Sequence, residues 1–188
     1  MPIRPLTRAE LARVGEIDRT EHIDVLYEQR GTELLAKPGS YDAPAWYPTG
    51  DGPHSIAAQQ WAVAAYVDRG GIALGAFADE RLVGIAIVVP HVRPTIAQLA
   101  FLHVSHGSRG SGIGRDLVAE LERIAHAAGD TEMVVSATPS ANTIGFYRGR
   151  GFAVDPVPLP ELLAEEPDDV HLRKRLKPLS PGRPHPAG

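Results

Sequence analysis

The sequence predicts an α/β protein: one mixed sheet flanked by helices, in a single domain. Three observations lead there. Helical patterns dominate the chain as far as Asp68. Three apolar runs follow, Ile72 to Ala78, Leu82 to Val89 and Ile96 to Val104, joined by links of hairpin length. From Gly112 onward, helix and strand patterns alternate. At 188 residues and 43% hydrophobic content, the chain fits one such domain with a sizeable core. No internal repeat divides it.

Ile3 to Leu6 suits a short first strand. Thr7 and Glu10 have the spacing of a capping box, in which side chains satisfy free N–H groups at a helix start, and Leu11, Val14 and Ile17 give the apolar face behind it. Ile23, Leu26 and Tyr27 fit a second helical stretch. Residues 36 to 53 carry Pro38, Gly39, Pro44, Pro48, Gly50, Gly52 and Pro53, with Tyr41, Trp46 and Tyr47 among them, and predict a long ordered loop. Ser55 to Asp68 reads as a helix stopped by Arg69-Gly70-Gly71. Asp79-Glu80-Arg81 joins the first two strands of the meander, and Pro90 to Pro94 turns the chain into the third. Ile113, Leu117, Leu121, Ile124 and Ala128 share one face of a helix from Gly112 to Ala128, and Gly129 ends it. Glu132 to Ala137 is a strand, Ala141 to Gly149 a short helix and Phe152 to Asp155 a strand. Val170 to Leu176 alternates apolar and polar residues as an edge strand would. The domain is therefore 1–177, and the Pro-rich tail 178–188 is expected to be disordered.

Composition excludes several functions. A net charge of -4 gives no basic footprint for nucleic acid. The start, Met1-Pro2-Ile3-Arg4-Pro5, lacks the apolar core of a signal peptide, and the apolar run from Leu82 stops at Pro90, too short to cross a membrane. No membrane partner is expected, and the expected location is cytoplasmic. There is no cysteine, hence no disulfide, thiolate metal site or cysteine nucleophile. A G-x-S-x-G elbow is also missing. His103 and His106 diverge at a strand end with no third ligand in view, so no metal is expected.

The most informative segment follows the third apolar run. Ser108-Arg109-Gly110-Ser111-Gly112-Ile113-Gly114 leads directly into the helix. Glycines let the backbone approach a ligand, and the free N–H groups of a first helical turn favour a phosphate. The spacing does not suit a dinucleotide fold, because the sixth position from Gly110 is Arg115 and no acid stands at the end of the next strand. No Gly-Lys-Ser/Thr follows, which rules out a Walker A loop. Downstream lie Asn142-Thr143-Ile144-Gly145-Phe146-Tyr147 and Gly151-Phe152.

These two motifs, in this order, resemble the GCN5-related N-acetyltransferases (the GNAT superfamily). Arg109-Gly110-Ser111-Gly112-Ile113-Gly114 matches the family's signature before its helix in full. The resemblance implies a GNAT fold, a mixed and mostly antiparallel central sheet flanked by helices, with acetyl-CoA as co-substrate. Backbone N–H groups of Arg109, Gly110, Ser111, Gly112, Ile113, Gly114 and Arg115 would hold the pyrophosphate. Leu102, His103 and Val104 would align the pantetheine arm, on a strand that splays from its neighbour, and Asn142 would sit near the same arm. Tyr147 would protonate the departing thiolate; a thiol near 8.5 and a tyrosine near 10 make that transfer only slightly uphill. Packing alone would also account for Tyr147, and a helix cap or turn for Asn142.

Many family members carry a glutamate base six residues before the place of Val104; here it is Gln98, which takes no proton. At neutral pH only about 0.1% of an alkylamine is neutral, so deprotonation matters. His103 lies on the strand concerned, His91, His54 and Asp68 lie in segments that could approach, and no nearby acidic residue is expected to deprotonate the acceptor. Asp18, Glu21, Asp24 and Glu28 lie in the region that shapes the family's acceptor pocket, although Arg19 and Arg30 are interleaved as on a solvated face. The resulting expectation is an N-acetyltransferase acting by direct attack on a small-molecule or peptide amine, as a monomer or homodimer. The other reading is a non-catalytic acyl-CoA-binding sensor.

Overall fold

The computed structural model describes residues 1–177. The proline-rich end, 178–188, lies outside them. A seven-stranded sheet has the order β1-β4-β5-β6-β7-β9-β8, and a separate two-stranded hairpin pairs β2 with β3. The strands are β1 (Ile3–Pro5), β2 (Glu21–Arg30), β3 (Glu33–Ala43), β4 (Ile72–Ala78), β5 (Arg81–Arg93), β6 (Ile96–Val104), β7 (Glu132–Ala137), β8 (Ala153–Val154) and β9 (Val170–Arg175). All pairs are antiparallel except β6 with β7. The helices are α1 (Ile56–Asp68), α2 (Ile113–Ala128), α3 (Ala141–Gly149) and α4 (Pro160–Glu165), preceded by a 3-10 helix over Arg8–Glu16. None is long and apolar enough to cross a membrane.

Local signals explain most of these elements. Glu10 accepts from the Thr7 N–H at 2.9 Å, so the capping box forms, although the helix it opens is 3-10. Ser55 caps α1 through the Ala58 N–H, and Gly129 ends α2 in the left-handed conformation. The buried stripe of α2 runs Ile113, Leu117, Val118, Leu121 and Ala125; at 3.6 residues per turn it passes Ala125 and leaves Ala128 exposed.

Three expectations need correction. The stretch carrying Ile23, Leu26 and Tyr27 is strand β2 and not a helix. Its register with β3 runs from Glu21↔Ala43 to Arg30↔Glu33. Ile23 and Val25 alternate with His22 and Asp24, and Gly31 at φ 60 with Thr32 makes a two-residue hairpin link. Much of the expected 36–53 loop is accordingly β3, with Pro38 tolerated in a largely exposed strand. The third correction is β9, which lies between β7 and β8; the sheet's real edges are the short β1 and β8, which blunts them against stray pairing.

The core has two layers. On one face α2 and α3 cover Val83, Ala86, Val88, Met133 and Val135. On the other, the 3-10 helix and α1 cover Ala73, Phe77, Leu82, Ile85 and Ile87. Gly84 of β5 lets α2 settle close to the sheet: a Cβ there would stand 2.9 Å from Ile113 Cγ2 and 3.1 Å from Leu117 Cδ1.

Candidate active site

Among the described residues, the one parallel pair of the sheet is a short seam in its middle. β6 and β7 share three partners, Ile96↔Glu132, Ala97↔Met133 and Gln98↔Val134, and then part. A register shift against β5 at Ala100, between Leu99 and Phe101, bends β6 away. The wedge opens into a cleft of about 1070 Å³, lined on one wall by Leu99 to Val104 and on the other by Val135 to Thr138.

One end of the cleft is the start of α2. Gly112 caps the helix at φ 92 with no side-chain bond, and the first helical bond runs from Asp116 N–H to the Gly112 carbonyl. The N–H groups of Ile113, Gly114 and Arg115 therefore lack an intrahelical acceptor. Among the described residues, those of Gly110, Ser111 and Gly112 make no backbone bond either. Arg109 differs: its N–H donates to the His106 carbonyl at 3.2 Å, so it is not a free donor. Its guanidinium instead ties the loop to the carbonyls of Val104, Thr20 and Arg19. Ser111 does not line the cleft; its hydroxyl donates to the Ser108 carbonyl at 2.6 Å. Arg19, Arg109, Arg115 and Arg150 do line it, which gives this concave surface a cationic rim.

Leu102 and Val104 belong to the α2 face of the sheet, and His103 to the opposite face. There its ring packs against Trp46 (5.2 Å between centroids) and Phe101 (4.8 Å). Burial first, then the charges of Arg19 and Arg109, push the His103 imidazole down to about 4. Asn142 is not a cap: Ser140 caps α3 by accepting from the Thr143 N–H, and Asn142 Nδ2 donates to Glu21 Oε1 at 2.9 Å. Glu21 also stands 3.5 Å from the Arg109 guanidinium, so the start of β2 is clamped across the cleft. Tyr147 is 5% exposed, edge-on to Phe146 and Phe152, and lines the cleft. Burial, and secondarily the charge of Asp169, hold its hydroxyl well above the ordinary tyrosine value.

The remaining candidates are divided between the cleft and the rest of the molecule. Gln98 is buried and borders a smaller cavity of about 250 Å³ together with His91. His91 pairs with Asp130 at 2.8 Å, and Asp68 is bound to Arg8. His54 reaches the cleft but lies 3.0 Å from the Arg19 guanidinium, and burial lowers its pKa. Of the N-terminal acids only Glu21 lines the cleft; Glu28 pairs with Arg30 and Lys37. Two acids outside the sequence motifs do line it, Glu166 and Asp169. They come from the turn before β9, and no local motif marks them. Trp46, Tyr66 and Arg150 also line the cleft without any local sequence motif to mark them. Among the described residues, no group of three or more metal-ligating side chains comes together.

The family model "Acetyltransferase (GNAT) family" matches residues 39–152. No curated protein sequence matches the chain. Among solved structures, a nourseothricin acetyltransferase superposes with a TM-score of 0.70 at 16% identity, over 94% of this chain and 98% of that one. A putative streptothricin acetyltransferase from Bacillus anthracis, in complex with acetyl coenzyme A, gives 0.68 at 15% identity over the same shares. PaiA N-acetyltransferase from Thermoplasma acidophilum, in complex with coenzyme A, gives 0.61 at 19% identity over 93% and 98%. These likenesses show the shared mixed α/β fold.

Proposed function

Because the chain belongs to the acetyltransferase (GNAT) family, we propose that it moves an acetyl group from acetyl-CoA to an amine by direct attack within a ternary complex. The observation that carries this reading is the β6–β7 wedge, which ends on the uncapped N-terminus of α2. A pyrophosphate bound there meets free N–H donors and the positive end of the helix dipole. The arginine rim adds favourable charge. Backbone groups of Leu102, His103 and Val104, on the side of β6 that β7 has left, align the pantetheine arm as an added strand would. Asn142 closes over the arm through its bond to Glu21.

Tyr147 donates the proton that the leaving sulfur takes. The amine enters from the opposite face of the sheet, where Trp46, Tyr66, Phe101 and His103 give an aromatic wall. With no cysteine in the chain, direct attack needs no covalent acyl-enzyme.

The test is release of free CoA thiol from acetyl-CoA over a panel containing an alkyl diamine, free amino acids, an aminoglycoside and a lysine-containing peptide. Turnover with at least one acceptor is expected. CoA binding by calorimetry with no turnover on any of them would favour an acyl-CoA sensor.

A further inference from the structure

We infer that Asp169 is the catalytic base that takes the proton from the acceptor nitrogen, working beside Tyr147. The inference rests on the acetyl-transfer reading above. Its geometry comes from the register of β9: Val170 pairs with Ala137, the last residue of β7, so Asp169 stands where that strand ends and the chain turns toward α3. There it lines the wedge together with Ser136 and Tyr147. The other cleft groups are unsuited. His103 is a weak base, His54 is held against Arg19, and Glu21 is engaged by both Asn142 and Arg109. Gln98 carries no charge and faces a different cavity.

Asp169 is half-buried, and its neighbours set its chemistry. Glu166 and Asp168 flank it on its own turn, and Tyr147 of α3, Arg150 just after α3 and Ser136 on β7 line the same cleft, with Tyr147 near enough to feel its charge. Burial, then the charges of Glu166 and Asp168, raise its carboxyl to about 7. A base with that pKa is largely ionised just above neutrality and still holds a proton well once it has one.

The proton balance closes within the pair. A neutral amine attacks the thioester carbonyl; the C–N bond forms, the C–S bond breaks, and Asp169 takes one nitrogen proton. The sulfur takes the Tyr147 proton. Asp169 then returns its proton to the tyrosinate, leaving amide and CoA thiol. The two groups are coupled in a useful sense: once Asp169 is protonated, its charge no longer opposes ionisation of Tyr147, which becomes the stronger acid as the thiolate departs.

The test compares wild type, Asp169→Asn, Asp169→Glu and Glu166→Gln, using acetyl-CoA and the best acceptor of the panel. Asp169→Asn is expected to lower kcat by about 10²-fold or more while CoA affinity stays within about twofold. Wild-type kcat/KM should rise with pH through about 7 and level off, with the inflection lost in Asp169→Asn and kept in Asp169→Glu. Glu166→Gln should move the inflection downward, because it removes a like charge. Thermal stability gives a readout apart from catalysis. The folded pKa lies above the unfolded one, so ionising Asp169 costs stability progressively from about pH 4 to about 7. Asp169→Asn should therefore raise Tm, and more at pH 8 than at pH 4. Wild-type turnover in a folded Asp169→Asn protein overturns the inference. So does a wild-type profile with no inflection near pH 7, which decides the matter if the variant does not fold. Absence of turnover by wild type itself would instead remove the acetyl-transfer reading beneath it.

Discussion

An acid that serves a leaving thiolate has to keep its proton until the C–S bond breaks, and the surroundings of Tyr147 meet that need. Aromatic rings enclose it and burial opposes its ionisation. Tyr147→Phe keeps the ring and loses the proton, so turnover should fall by about 10²-fold with CoA affinity nearly intact. Steady-state kinetics with calorimetry decide this, and equal turnover with chemistry rate-limiting would reduce Tyr147 to a packing residue. At the other end of the cleft, Gly112 occupies left-handed backbone at φ 92 where the pyrophosphate would approach. Gly112→Asp adds strain and a negative charge beside free N–H donors. CoA affinity should drop by at least about tenfold in a protein that circular dichroism shows to be folded. Undiminished affinity would remove the phosphate assignment from this loop.

At the level of elements, the sequence disclosed those whose apolar period was long and unbroken. β6 is a nearly continuous apolar run and α2 carries an apolar stripe at helical spacing, and both appear where the sequence places them. The β2–β3 hairpin is hidden in the sequence because Ile23, Leu26 and Tyr27 also satisfy a helical spacing. The deciding signal, Gly31-Thr32 as a tight link, is short and easily outweighed. β9 looked like an edge because alternation reports one polar face and says nothing about how many neighbours a strand has. Close approach between elements was also hidden, and Gly84 shows why: its role lies in α2, far along the chain. Gly84→Val should force α2 off the sheet, costing about 1–3 kcal/mol. In a domain of this size that lowers Tm by about 2–4 °C per kcal/mol. Because Ile113 begins the helix, CoA affinity should fall with it. An unchanged Tm would show that the contact is looser than 2.9 Å implies.

For the molecule as a whole, the sheet keeps two differently built parts of the cleft on opposite faces. α2 and α3 stand on one side, with the loop suited to a phosphate. The 3-10 helix, α1 and the aromatic wall stand on the other. That division explains which parts of the site were legible. Residues presented by one continuous motif, Gly110 to Arg115, could be read in order. Asp169, Glu166, Trp46 and Arg19 meet only through the strand order, and no spacing along the chain announces them.

The seam that opens the cleft also divides the molecule mechanically. Strands β1, β4, β5 and β6 form one block and β7, β9 and β8 another, joined in the sheet by three parallel partners at one end. A ligand lying in the wedge becomes the missing rung between the two blocks, so binding should tighten a joint that the polypeptide leaves slack. Amide hydrogen exchange reads this directly. Without CoA, the amides of residues 99–104 that face β7 should exchange much faster than those of the same strand that face β5. Saturating CoA should slow the first set and leave the second nearly unchanged. Equal protection of both sets in the free protein would mean that the two blocks already move as one.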